Sequence, residues 1–92
     1  MSPVTNDTVL TVSGRVSIRP EPFGALLYHF GTRRLSFLKS PVLLRVIDGF
    51  DGIRCVGEAM SAAGVETAAR PAVLRALGTL RESHMLEEAV AA

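Results

Sequence analysis

The sequence predicts an α+β domain, with a three-stranded antiparallel sheet followed by a three-helix cluster in a winged-helix-like order. Two patterns lead there. β-prone, partly alternating runs fill the chain up to residue 39, and apolar residues at helical spacing fill the chain after it. Size is the third observation: 92 residues make one domain, burying somewhat over about 60% of the unfolded surface, too little for a deep cleft between lobes. The expected division is a flexible tail at 1–13, the domain at 14–88 and a short tail at 89–92.

Met1 to Asp7 is polar, with Pro3 and Asn6, and reads as a loose tail. Thr8 to Val12 is short and β-prone, suited to joining a sheet or to swapping onto a neighbouring molecule. Arg15 to Arg19 alternates and ends at Pro20. Ala25 to Phe30 and Arg33 to Lys39 follow, separated by Gly31-Thr32 alone. A two-residue loop with Gly first suits a type II′ hairpin, because Gly accepts the positive φ that this turn needs. That turn sets Tyr28 opposite Leu35 and Leu26 opposite Phe37. One face then carries Leu26, Tyr28, Phe30, Leu35 and Phe37, with only Arg33 charged, and is expected to meet the core. The other carries Ala25, Leu27, His29, Arg34, Ser36 and Leu38, and is expected to meet solvent.

Helices follow. Ser40-Pro41 is an N-cap with proline at the first helical position. Leu43, Val46, Ile47 and Phe50 continue at helical spacing, closed by Gly49 and Gly52. Val56, Ala59, Met60 and Ala63 mark a second helix that stops at Gly64. Pro71 opens a third, with the stripe Val73, Leu77, Leu80 and His84 and Leu74 alongside, and Met85 and Leu86 close the core.

Composition excludes several classes. Ten Lys and Arg against nine Asp and Glu give a net charge of +1, too balanced for a protein that mainly neutralises phosphates. Cys55 is the single cysteine, so no internal disulfide forms and a reducing, cytoplasmic setting fits. With His29 and His84 far apart, the chain offers no metal set, and no cofactor motif is present. The N-terminus is not a signal peptide, and no apolar run reaches membrane-spanning length. Ser13, Ser36, Ser61 and Ser83 have no His–acid partner in sequence, so no catalysis is expected. Cys55 reads as a small half-buried residue, and His29 and His84 as packing or surface residues. The mean hydropathy is slightly positive, which leaves room for an exposed apolar surface.

The sheet edges carry the functional reading. Pro20 and Pro22 blunt the first strand. The strand Arg33, Arg34, Leu35, Ser36, Phe37, Leu38, Lys39 has no proline, so its outer N–H and C=O groups are available to an extended peptide. Its positive charges favour an acidic or amphipathic peptide, at about 0.2–1 kcal/mol per exposed contact.

The stretch RPEPFGALLYHFGTRRLSFLKSPVLLRVIDGFDG, Arg19 to Gly52, closely resembles the mycofactocin-system binding chaperones. These are PqqD-like peptide-recognition domains (RiPP recognition elements) of pathways that modify ribosomally made peptides. The looser family pattern is carried by Leu35 to Leu38, Leu43 to Ile47, Asp48-Gly49 and Leu74 to Leu86. The resemblance implies a three-stranded sheet on three helices. It also implies a precursor leader added as a strand to the third strand, beside the third helix, and a radical S-adenosylmethionine maturase as partner. By helical spacing, Arg70, Leu74, Arg75, Gly78 and Arg81 are expected to form the far wall of the groove, with Leu38, Leu74 and Leu77 receiving apolar leader side chains.

Two rival readings come from other classes. The winged-helix-like order and Arg70, Arg75 and Arg81 invite nucleic acid, but Glu82, Glu87 and Glu88 and the balanced charge oppose it. A homodimer through strand exchange, by Thr8 to Val12 or the open edge, is compatible with the chaperone role.

Overall fold

A computed structural model describes residues 3–89. The chain runs β1 (Leu10–Val12), β2 (Val16–Glu21), β3 (Gly24–His29), β4 (Leu35–Leu38), α1 (Pro41–Asp48), α2 (Val56–Ala62), α3 (Arg70–Glu82) and β5 (Leu86–Glu88), with a 3-10 turn at Thr67–Ala69 leading into α3. β2, β3 and β4 make an antiparallel sheet with β3 in the middle. The fold is therefore the α+β arrangement of a meander and three helices. β2 continues through Pro20, opposite Ala25, to Glu21. Proline is tolerated there because β2 is an edge strand and needs no N–H on its outer side.

The β3–β4 register is the expected one, Tyr28 opposite Leu35 and Leu26 opposite Phe37. Its loop is not. The loop is Phe30–Arg33, closed by the Arg33 N–H donating to the His29 carbonyl at 2.8 Å, with the His29 N–H donating to the Arg34 carbonyl at 3.0 Å. The positive φ falls on Arg33, at 60°, and not on Gly31. His29 explains the difference: its Nδ1 accepts the N–H groups of Gly31 and Thr32, each at 3.0 Å, and holds them in a helical turn. The register survives because either closure leaves His29 opposite Arg34.

The faces of the hairpin are reversed from the expectation. Ala25, Leu27, His29 and Leu38 are buried, whereas Phe30, Leu35 and Phe37 are 59%, 55% and 62% exposed. The smaller face wins because a helix must approach the sheet closely. α1 packs on β3, where Ala25 leaves space for it. Buried His29 keeps its Nδ1 paired, so its burial leaves that acceptor satisfied. Leu27 joins Leu10, Val46, Ile47, Val56, Met60, Leu77, Met85 and Leu86 in one apolar core.

Local signals explain the helix ends. The Ser40 hydroxyl accepts the Leu43 N–H at 3.2 Å, and Pro41 opens α1. α2 stops at Gly64, whose φ of 78° lets Val65 N–H reach the Met60 carbonyl at 3.0 Å. α3 ends the same way on a non-glycine residue: His84 takes φ 64° and Met85 N–H reaches the Leu80 carbonyl at 2.9 Å. His84 is thus an exposed cap, and the apolar stripe ends before it. Between α1 and α2, Asp51 Oδ1 accepts the N–H groups of Ile53 at 2.9 Å and Arg54 at 2.7 Å. These bonds, Arg54's first, hold the Asp51 carboxyl below the ordinary aspartate range.

The packed unit reaches further towards the N-terminus than the boundary at residue 14. β1 pairs with β5, Leu10 opposite Glu88 and Val12 opposite Leu86, and Val4 and Leu10 are buried. The first N–H groups of a helix need acceptors. Here Val56 N–H donates to the Thr8 carbonyl at 2.8 Å and Gly57 N–H to the Asn6 carbonyl at 2.9 Å. Thr8 to Val12 does enter a sheet, but with β5 rather than the meander. Met1, Ser2 and, in the expected C-terminal tail, residues 90–92 lie outside the described residues. Ala89 N–H donates to the Val9 carbonyl at 2.9 Å.

Candidate functional site at the β4 edge

β4 is the outer strand on its side of the sheet, so one row of its backbone groups has no strand partner among the described residues. Alternation decides which groups these are. Because the His29 N–H and carbonyl both point to the β4 side, bonded to the Arg34 carbonyl and the Arg33 N–H, Ser36 and Leu38 turn their backbone groups towards β3. Leu35 and Phe37 turn theirs outward.

A cleft of ≈430 Å³ runs beside this edge, lined by Ser36, Phe37, Leu38 and Lys39 on the sheet side and by Leu43, Ala76, Thr79 and Leu80 on the helix side. A smaller depression of ≈150 Å³ shares Leu43 and Ala76 with it and continues to Ser40, Ala72 and Val73. The two adjoin as one apolar trough between β4 and α3. Arg33, Arg34 and Lys39 are exposed at the ends of β4.

The structure brings Ser36, Phe37, Leu38 and Lys39 together at the trough. It does not bring the α3 residues picked from the sequence there. Leu74, Arg75, Gly78 and Arg81 line a separate hollow with Pro3 and Val4. Arg70 lies with Asn6 and Cys55 and donates to the Ser61 hydroxyl at 3.0 Å. Leu77 is fully buried. Arg81 is buried against β5, 2.8 Å from Glu88. The wall facing β4 is instead Ala72, Val73, Ala76, Thr79 and Leu80, at the spacing of one helix face. The apolar spacing of Val73, Ala76 and Leu80 was the available signal. Reading the charged side of α3 as the groove missed it, because a stripe of small and apolar residues looks like core until the sheet leaves part of it uncovered.

Cys55 is partly buried at the start of α2, where its N–H donates to Glu58 Oε1 at 3.2 Å. Among the described residues, no group of three His, Cys, Asp or Glu gathers in a metal-binding arrangement. No described helix is long and apolar enough to cross a membrane.

The chain is thus a small α+β domain that presents an open strand edge beside a shallow apolar trough. The model of the Peptide chaperone MftB family matches residues 10–87, and the chain belongs to that family. It is 51% identical over 72 residues to the Peptide chaperone MftB of Mycobacterium ulcerans, covering 78% of this chain and 66% of that relative. It is 49% identical to the Mycolicibacterium smegmatis protein of the same name, covering 71% of it, and 47% identical to that of Mycobacterium tuberculosis, covering 66%. The match thus spans about two thirds of the length of these relatives. Their shared name describes a peptide chaperone and not a catalyst. No solved structure matches the chain.

Proposed function

We propose that the chain is a peptide chaperone that binds the leader of a ribosomally made precursor peptide and presents it to a radical SAM maturase in mycofactocin biosynthesis. The observation that carries this reading is the outward backbone row of Leu35 and Phe37 beside the apolar trough. The leader adds a strand to β4, each main-chain hydrogen bond contributing a net ~0.5–1.5 kcal/mol. Its apolar side chains enter the trough against Leu38, Leu43, Ala76 and Leu80, and acidic residues meet Arg33, Arg34 and Lys39. The precursor's C-terminal part stays free for the maturase. Ordering a disordered leader costs affinity, so a Kd on the order of a micromolar or below is expected. The single cysteine and the relatives' name fit work in the cytoplasm.

Titration calorimetry with the short precursor, full-length and leader-only, tests this. Binding that survives removal of the C-terminal core supports leader recognition. No binding of either peptide at tens of micromolar rejects it.

A further inference from the structure

The outer face of the sheet is left unused by leader binding. Four of the chain's five aromatic residues belong to it: Phe23, Tyr28, Phe30 and Phe37, with Phe23, Phe30 and Phe37 between 45% and 62% exposed. They group together. The rings of Phe23 and Phe37 are 6.2 Å apart between centroids, and those of Tyr28 and Phe30 meet edge to face at 5.4 Å. Leu26 and Leu35 share the face by register. Scattered exposed apolar residues need no explanation, but a contiguous patch of rings marks a contact surface.

Charge says what kind of surface covers it. Arg15, Arg19, Arg33, Arg34 and Lys39 are five of the ten cationic residues, and all are exposed around this sheet. Across the same stretch Glu21 is the single acid, and it is already paired with Arg19 at 3.0 Å. The remainder of the chain is therefore net acidic although the whole is +1. Two copies meeting through this face would bring like charges together, which disfavours a second copy. Nucleic acid would use the same cations, but the rings here pair with one another around Leu26 and Leu35 instead of lying singly as stacking platforms.

We propose that the outer face of the meander docks a folded protein surface that is apolar at its centre and acidic at its rim. Taking that partner to be the maturase rests on the proposed function. The geometry adds a constraint. Leu35 and Phe37 offer their backbone to the edge and their side chains to the face, so peptide and partner lie side by side on one hairpin. The leader is then held at the border of the docked protein, and neither displaces the other.

The test uses the full chain with Phe30→Ser and Arg19→Glu combined, both sites being exposed and away from the trough. Association with the purified maturase is measured by sedimentation velocity at two salt concentrations, leader binding by calorimetry, and folding by thermal unfolding. The expected result is at least about tenfold weaker maturase association, with leader affinity within about twofold of wild type. Wild-type association should also weaken at the higher salt. Should the double variant unfold, Phe30→Ser alone gives the same readout. Overturning results are equal maturase affinity in a folded variant, no wild-type association with the maturase, wild-type self-association that the variant abolishes, or binding of a single-stranded oligonucleotide that the variant loses. A wild type that docks the maturase but binds no leader defeats the proposed function while leaving the docking face standing.

Discussion

The carbonyl oxygen of Leu38 occupies the place that a β-carbon on Gly24 would take, and the Ser40 backbone nitrogen is 2.9 Å from that same point. Gly24 also holds φ 146°, which side-chain-bearing residues rarely adopt. The start of β3 and the end of β4 are thus seated against each other with no room between them, at the mouth of the trough. Gly24→Ala is expected to destabilise the domain by at least about 2 kcal/mol, through backbone strain and displacement of the Leu38 peptide. A urea melt reads it directly. A midpoint within error of wild type contradicts the close seating.

Proline scanning of β4 separates its two backbone rows. Phe37→Pro removes an outward N–H and leaves the ladder to β3 intact, so the domain stays folded and leader affinity falls about tenfold relative to Phe37→Ala. Ser36→Pro removes an inward N–H and should cost about 1 kcal/mol or more of stability. Calorimetry and thermal unfolding on the four-protein set, wild type included, check both halves. Equal leader affinity in Phe37→Pro and Phe37→Ala rejects pairing at this edge.

Among the described residues, two that are not glycine hold the left-handed conformation, Arg33 at φ 60° and His84 at 64°. Glycine relieves that cost, so His84→Gly is expected to raise stability by about 0.5–1 kcal/mol. Arg33→Gly should do the same for the hairpin while weakening an acidic leader, because it removes a charge beside the edge. Stability and affinity moving in opposite directions in Arg33→Gly is the diagnostic outcome; a parallel loss of both would show that the Arg33 side chain supports the loop.

Asp51 supplies a pH signature. Its folded-state pKa is depressed by the Arg54 and Ile53 N–H groups. A depressed carboxyl contributes stability above its unfolded value and loses it as pH falls through the folded value. Wild type should therefore lose stability below the ordinary aspartate range in a way that Asp51→Asn does not. Chemical melts of both proteins from pH 6 downward read the difference, and parallel curves would discount the turn.

Much of this was legible from residue chemistry. Ser40-Pro41, Gly64 and Pro71 announce helix ends because capping is local, and the hairpin register follows from how few residues lie between the runs. The choice of buried face did not follow. Leu26, Tyr28 and Phe37 are the more apolar set, but burial is decided by which face α1 can approach, and Ala25 beside Leu27 permits that approach. The β1–β5 pair was half legible. Thr8 to Val12 looked like a strand, and Met85 and Leu86 do close the core as expected, but Leu86 to Glu88, with two acids, carries no strand signal of its own. At the trough, the β4 residues were visible as a strand in the sequence, but the side of α3 that faces β4 was not, since it depends on Pro3 and Val4 lying against the other side.

Joining β1 to β5 has a mechanical consequence. Leu10 faces Glu88 across an antiparallel ladder, so tension applied to the chain at Val9 and Ala89 falls on one rung at a time, first Leu10–Glu88, then Thr11–Glu87, then Val12–Leu86. Such a seam peels like a zip instead of resisting in shear. Under a pulling force applied there, the seam should open while the hairpin of β3 and β4 still bears none of the load.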